Sequence, residues 1–196
     1  MADMKSVAVF CGSNTGNDPA FAASAKALGR EMALQQLELI YGGGRIGIMG
    51  ILADAVLEAG GRVTGVIPDF LHSKEIAHTG LTRLIRVESM HERKRIMQEL
   101  AEGFIALPGG FGTMEEIFEM ITWAQLGLHR KPIAFLNVSG FYDPLIAFTN
   151  SMVAKALVSR PNHDILLFED DVSKLLNSMR SYIPLVVPKW IDDSTS

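Results

Sequence analysis

The residues of this chain that could do chemistry stand in and beside glycine-rich loops. Pro108-Gly109-Gly110-Phe111-Gly112-Thr113 runs directly into Met114-Glu115-Glu116. Proline has no N–H with which to continue a strand ladder, so a strand should end at Pro108. Gly109, Gly110 and Gly112 let the backbone approach a ligand closely. A helix opening behind them would offer free N–H groups and a positive dipole end to a phosphate. Glu115 and Glu116 would repel a phosphate at contact, so they must point elsewhere, and a carboxylate one turn into the helix could reach the sugar beyond it. Thr113-Met114-Glu115-Glu116 also fits a capping box, with Thr113 at N-cap and Glu116 at N3. Spacing alone leaves both readings of Glu116 open.

A second anomaly lies upstream. Met90, Met97 and Leu100 form an inward helical stripe, and Arg93 falls on it. A guanidinium there is costly unless it snorkels out or meets an anion. In the second case Arg93 lines a cleft and binds phosphate or a carboxylate.

Two further glycine loops are Cys11-Gly12-Ser13-Asn14 and Gly42-Gly43-Gly44-Arg45-Ile46-Gly47. All three loops follow apolar runs. In open parallel sheets ligands sit at the carboxyl ends of strands. Gly12, Ser13, Gly43 and Gly44 are therefore candidates for a phosphate cradle. Gly42, Gly44 and Gly47 match Gly-x-Gly-x-x-Gly, with Asp69 as a conceivable ribose acid. The dinucleotide fingerprint normally follows the first strand of its unit, however, and this one follows the second. Tight turns and helix packing also explain such glycines. No Gly-x-x-x-x-Gly-Lys-Ser/Thr stretch exists, which excludes a P-loop.

The elements that must position these residues alternate. Apolar runs at 6–11, 37–41, 62–67, 83–87, 103–107, 132–138 and 165–168 read as strands. Helical patterns occupy about 19–35, 47–59, 90–101, 113–128, 143–157 and 170–181. Such alternation predicts an α/β fold, an open and mainly parallel sheet of about seven strands with helices on both faces. The helix after the third loop carries Met120, Ile121, Trp123, Ala124 and Leu126, more apolar surface than one core can cover, which predicts a homodimer through it.

The whole chain, 196 residues at 48% hydrophobic and 20% charged, suits one domain, 1–196, and excludes disorder. The tail at 184–196 carries two prolines and a polar end. No uncharged run approaches the roughly 20 residues of a membrane helix. The start does not read as a signal peptide. One cysteine, Cys11, excludes a disulfide framework and a multi-cysteine metal site. A cytoplasmic protein without membrane association is expected. The net charge of −4 argues against general nucleic-acid binding. The basic cluster Arg83, Arg86, Arg93, Lys94 and Arg95 suits a small anionic ligand or a solvated helix face. His72, His78, His91, His129 and His163 show no metal-ligand spacing; no metal and no cofactor are expected.

Met90-His91-Glu92-Arg93-Lys94 together with the Pro108–Glu116 stretch resembles the LONELY GUY family. These are cytokinin riboside 5′-monophosphate phosphoribohydrolases long mislabelled lysine decarboxylase-like. The resemblance continues in Cys11-Gly12-Ser13, Tyr41-Gly42-Gly43-Gly44, Gly47-Ile48-Met49-Gly50, Gly65-Val66-Ile67-Pro68 and Ile121-Thr122-Trp123-Ala124-Gln125-Leu126-Gly127, and covers about 6–180. It implies a Rossmann-like fold and a homodimer with active sites near the subunit interface. It implies a nucleotide substrate cleaved at its N-glycosidic bond to free base and ribose 5-phosphate, either a cytokinin riboside 5′-monophosphate or AMP. By motif position Arg93 and Glu116 match the catalytic pair. Glu75, Lys94, the stretch Gly110, Phe111, Gly112, Thr113, Met114, Glu115 and Glu116, and Thr122 match substrate contacts. A non-catalytic nucleotide or cofactor carrier on the same fold is the alternative, disfavoured because a carrier has no need of Glu116. A pyridoxal-phosphate lysine decarboxylase would carry Ser-x-His-Lys, and His72-Ser73-Lys74 has the wrong order.

Overall fold

The computed structural model describes residues 4–72 and 77–184, apart from the side chain of His72. Seven strands form one parallel sheet: β1 (Ser6–Phe10), β2 (Glu38–Tyr41), β3 (Val63–Pro68), β4 (Arg83–Val87), β5 (Phe104–Ala106), β6 (Ile133–Leu136) and β7 (Leu166–Glu169). Their spatial order is β4-β3-β2-β1-β5-β6-β7. The order reverses between β1 and β5, so the loops after those two strands flank the switch point where α/β sheets bind ligands.

The strands are short apolar runs because both faces are covered. Within β1 the alternation is visible. Val7 and Val9 face a core shared with α1 (Pro19–Leu34), α2 (Gly47–Glu58) and α8 (Val172–Ser181). Ala8 and Phe10 face the other core, with α4 (Met90–Leu100) and α5 (Phe111–Gln125). Leu28, Leu52 and Leu175 are fully buried on the first side, and Phe104, Ile117 and Met120 on the second. Burying each such side chain contributes about 1.5–3 kcal/mol before entropy is counted.

Four of the eight described α-helices start on a side-chain cap. Asp18 accepts from the Ala20 N–H ahead of Pro19, Ser89 from the Glu92 N–H, and Asp171 from the Lys174 N–H. Helix α5 departs from this pattern. It begins at Phe111, with Gly110 as an N-cap that has no side chain to give. Thr113 is therefore inside the helix rather than its cap, and Glu116 is not at N3. The capping-box reading is overturned.

Other differences are small. Helix α6 (Asp143–Ala154) stops short of 157, because Ala156 turns to a φ of 56°. Three short pieces lie below the length that periodicity reveals: α3 (Asp69–His72), α7 (Arg160–His163) and a 3-10 turn at Val138–Gly140. Asp69 is engaged by Arg86, whose Nε donates to it at 2.7 Å. Of the tail, 185–196 lies outside the described residues.

Candidate active site

The switch-point loops are tied together by the Gly12 N–H, which donates to the Pro108 carbonyl at 3.2 Å. Gly109 makes their approach feasible. A Cβ there would lie 2.1 Å from Thr113 Oγ1 and 2.9 Å from the Gly12 nitrogen. Between the loops opens a cleft of about 210 Å³, whose walls include Gly12, Ser13, Gly110, Thr113, Arg93 and Glu116. A second hollow of about 250 Å³ continues past Gly12, Ser13 and Gly110 toward Phe21 and Phe141.

Helix α5 supplies the anion-binding end. The N–H groups of its first turn have no acceptor within the helix, and Gly110 offers no side chain to cap them. Thr113 packs back on Gly109 and is buried. Phe111 is 96% exposed at the mouth of the cleft.

Glu116 follows in the second turn, 9% exposed, and faces Arg93. Arg93 Nη1 lies 3.5 Å from Glu116 Oε1. The guanidinium does not snorkel: Arg93 is only 6% exposed. Its Nε donates to the Val66 carbonyl at 3.1 Å, and Nη1 sits 3.8 Å from Met90 Sδ. A buried guanidinium beside a carboxylate, at the edge of an anion-binding cleft, is the arrangement the apolar stripe hinted at.

Lys94, one residue on, is buried too, and it is clasped by Glu115 and by Glu119, the latter at 2.9 Å. Burial pulls the Lys94 ammonium down. The attraction of the Glu115 and Glu119 carboxylates outweighs it and holds the group above its ordinary value. Glu115 thus points away from the phosphate end of the helix, as expected. Cys11 forms part of the cleft floor. Burial, then the Glu116 carboxylate, push its thiol far up against the opposing pull of Arg93. It stays neutral and is no nucleophile.

Not every candidate converges here. Gly43 and Gly44 do not line the cleft: the Gly43 carbonyl accepts from the His78 N–H at 3.0 Å, and Gly44 forms a lone antiparallel bridge with Ala77. Thr122 is exposed, and its hydroxyl donates to the Phe118 carbonyl of its own helix at 2.9 Å. Glu75 lies outside the described residues. His78, His91, His129 and His163 line neither hollow. His129 illustrates why: Nε2–H donates to the Met120 carbonyl at 2.8 Å, because Nδ1 already accepts from the Lys131 N–H. Burial pulls its pKa down.

Sequence reasoning missed the Val66 carbonyl, since a backbone acceptor carries no residue-type signal. Of the apolar surface on α5, Ile121 packs into the chain's own core as an inward residue, and so does Met120, contrary to expectation. Trp123 and Ala124 are half-buried, and Leu126 is 47% exposed.

A family model described as "Possible lysine decarboxylase" matches residues 49–179. A "Probable cytokinin riboside 5′-monophosphate phosphoribohydrolase" of Oryza sativa subsp. japonica is 45% identical over 176 residues, which cover 90% of this chain and 79% of that protein. A cytokinin riboside 5′-monophosphate phosphoribohydrolase of Arabidopsis thaliana is 40% identical over 193 residues, 97% of this chain and 91% of that protein. Among solved structures, the Moco carrier protein of Chlamydomonas reinhardtii matches with a TM-score of 0.67 at 17% identity, over 90% of this chain and 96% of that one. At that identity it speaks for the fold alone. With a family model over most of its length and plant relatives over nearly all of it, the chain belongs to the LONELY GUY family.

Proposed function

We propose that the protein hydrolyses the N-glycosidic bond of adenine-type nucleoside 5′-monophosphates, cytokinin riboside 5′-monophosphates or AMP, to free base and ribose 5-phosphate. The observation that carries this reading is the buried Arg93–Glu116 pair beside the uncapped start of α5. The 5′-phosphate seats on the free N–H groups of the first helical turn. The ribose then lies over Glu116. As the bond from C1′ to the base nitrogen breaks, its electron pair leaves with the base, which takes a proton from solvent water to become the free base, and positive charge builds at C1′. The Glu116 carboxylate stabilises that charge and takes a proton from the attacking water, whose oxygen bonds to C1′. Arg93 holds the phosphate side of the sugar and orients Glu116. Gly110, Phe111, Gly112, Thr113 and Met114 form the phosphate end, Gly12 and Ser13 the opposite wall, and Lys94 and Glu115 the support behind it. Glu75 and Thr122 are assigned as substrate contacts by family resemblance.

The names of the plant relatives support the cytokinin nucleotide, and the plain phosphate cradle supports AMP as well. Purified protein incubated with AMP, an isopentenyl-type riboside monophosphate and adenosine tests the assignment by chromatography. Free base from one of the monophosphates, and none from adenosine, is the expected result. Binding energy from the remote phosphate is used at the reacting centre. Equal rates on adenosine and AMP overturn the phosphate anchor, and no release from either monophosphate overturns the hydrolase.

The unit of function in this reading is one domain, cytoplasmic and homodimeric. A single buried cysteine supports a reducing compartment. Among the described residues no helix is long and apolar enough to cross a membrane. The flank of α5 with Trp123, Ala124 and Leu126, continued by Leu128 at 65% exposure, supports the dimer surface. Light scattering at micromolar concentration should give twice the chain mass, and Leu126→Glu should halve it.

A further inference from the structure

We infer that Gly42 is a positioning residue for Arg93: position 42 is glycine because the guanidinium fills the space a side chain would need. The inference deepens the proposed function, since it concerns how one member of the catalytic pair is held.

The glycines of the second loop are not equivalent. Gly43 has φ +79° and Gly47 has φ +61°, conformations that favour glycine on backbone grounds. Gly47 also abuts Ser13, whose carbonyl carbon would lie 2.2 Å from an added Cβ. Gly42 is outside the left-handed region, so an alanine there costs nothing in backbone strain. What excludes a side chain is contact. A Cβ on Gly42 would lie 2.0 Å from Arg93 Nη2 and 3.2 Å from Cζ. The next neighbour, Met49 Sδ at 3.4 Å, is in ordinary contact. Arg93 alone forbids the methyl group.

The guanidinium is gripped on the remaining sides. Nε is held by the Val66 carbonyl of β3, and Nη1 lies between Met90 Sδ and Glu116 Oε1. The group is planar and rigid, so a push on Nη2 is passed to Nη1. Bringing the methyl contact out to 3.0 Å displaces Nη2 by about 1 Å. That motion breaks either the Val66 hydrogen bond or the register with Glu116. The cleft that Arg93 lines gives the group room to move, but only away from these partners. The loop after β2 thus sets the depth at which Arg93 enters the cleft, without touching substrate.

A double-mutant cycle tests this. Wild type, Gly42→Ala, Arg93→Ala and the double variant are compared in melting temperature and in kcat and KM for the nucleotide the wild type cleaves. Gly42→Ala should lower kcat by about 100-fold, the usual cost of a displacement of about 1 Å at a reacting centre. In the Arg93→Ala background the same change should cost less than about twofold, and its melting penalty should vanish, because the two sites are coupled. Equal penalties in both backgrounds, in rate or in melting, overturn the inference. Should Gly42→Ala fail to fold, recovery of folding by the added Arg93→Ala supports the inference, and an equally unfolded double variant overturns it. The melting arm needs no turnover. A wild type that cleaves no nucleotide therefore overturns the hydrolase reading, while the melting cycle still decides Gly42.

Discussion

Two ion pairs join α4 to α5, one residue apart, and they are built to different ends. Lys94 is saturated: Glu115 and Glu119 both contact its ammonium, and the clasp sits behind the cleft. Arg93 is held mainly by a backbone carbonyl, and it meets Glu116 only at 3.5 Å. Both cations are buried, so both pairs are costly to desolvate. The Lys94 clasp offsets that cost with two close carboxylates. The Arg93 pair meets at the longer distance of 3.5 Å and opens onto a hollow that an anionic ligand can enter. In the proposed mechanism the clasp away from the cleft is the brace, and the pair that lines the cleft does the chemistry.

The comparison breaks most sharply at Glu116. Glu116→Gln keeps the shape but loses the charge, and it should slow nucleotide turnover at least about 100-fold. Because it takes the carboxylate charge from beside the buried Arg93 guanidinium, the melting temperature should also fall. Retained turnover, measured beside a melting curve and an AMP titration, would remove the carboxylate from the mechanism.

Arg93→Ala should differ in kind. It withdraws a charge-assisted hydrogen bond of about 1.5–3 kcal/mol, so AMP should bind roughly tenfold or more weakly as well as turn over slowly. It also removes the cation beside a buried carboxylate, which lowers stability. Calorimetric titration and melting read both effects. Unchanged AMP affinity would confine Arg93 to orienting Glu116.

Lys94→Met should give another profile, with a lower melting temperature and a loss of turnover well below that of the first two variants. A large rate loss with unchanged melting would instead make Lys94 a direct substrate contact. The pH dependence sharpens this. The folded-state pKa of Lys94 is raised above its ordinary 10.5. The stability it contributes is therefore fully present below pH 10.5 and is lost as pH rises through the higher folded value. The gap in melting temperature between wild type and Lys94→Met should be constant below that pH and should shrink above it. A gap that does not shrink would show that the clasp acts by packing rather than by charge.

The elements were legible where local pattern and tertiary demand agree. The run Val7-Ala8-Val9-Phe10 could only be a strand covered on both faces, and all seven strands lie within a residue or two of where composition put them. Helix α4 was legible through its stripe, and Arg93 stood out because a guanidinium does not belong there. The start of α5 was misread for a physical reason. Thr113 is a better N-cap than Gly110 in isolation, but packing against Gly109 draws it into the helix. Gly43 and Gly44 looked like cradle, yet they lie off the cleft, paired with the later segment at Ala77 and His78.

The sequence by itself determined the α/β alternation, the three glycine loops, the presence of Arg93 and Glu116 on two separate helices, and the family. Those features rest on residue type and spacing along a few turns, which periodicity and glycine chemistry encode locally. Only the tertiary structure decided which groups meet. Val66 and Arg93 are 27 positions apart, and Lys94 and Glu115 are 21. Gly42 reaches Arg93 only because β2, β3 and α4 converge at one edge of the sheet. Contacts of that range are set by chain topology and close packing, and no local spacing carries them.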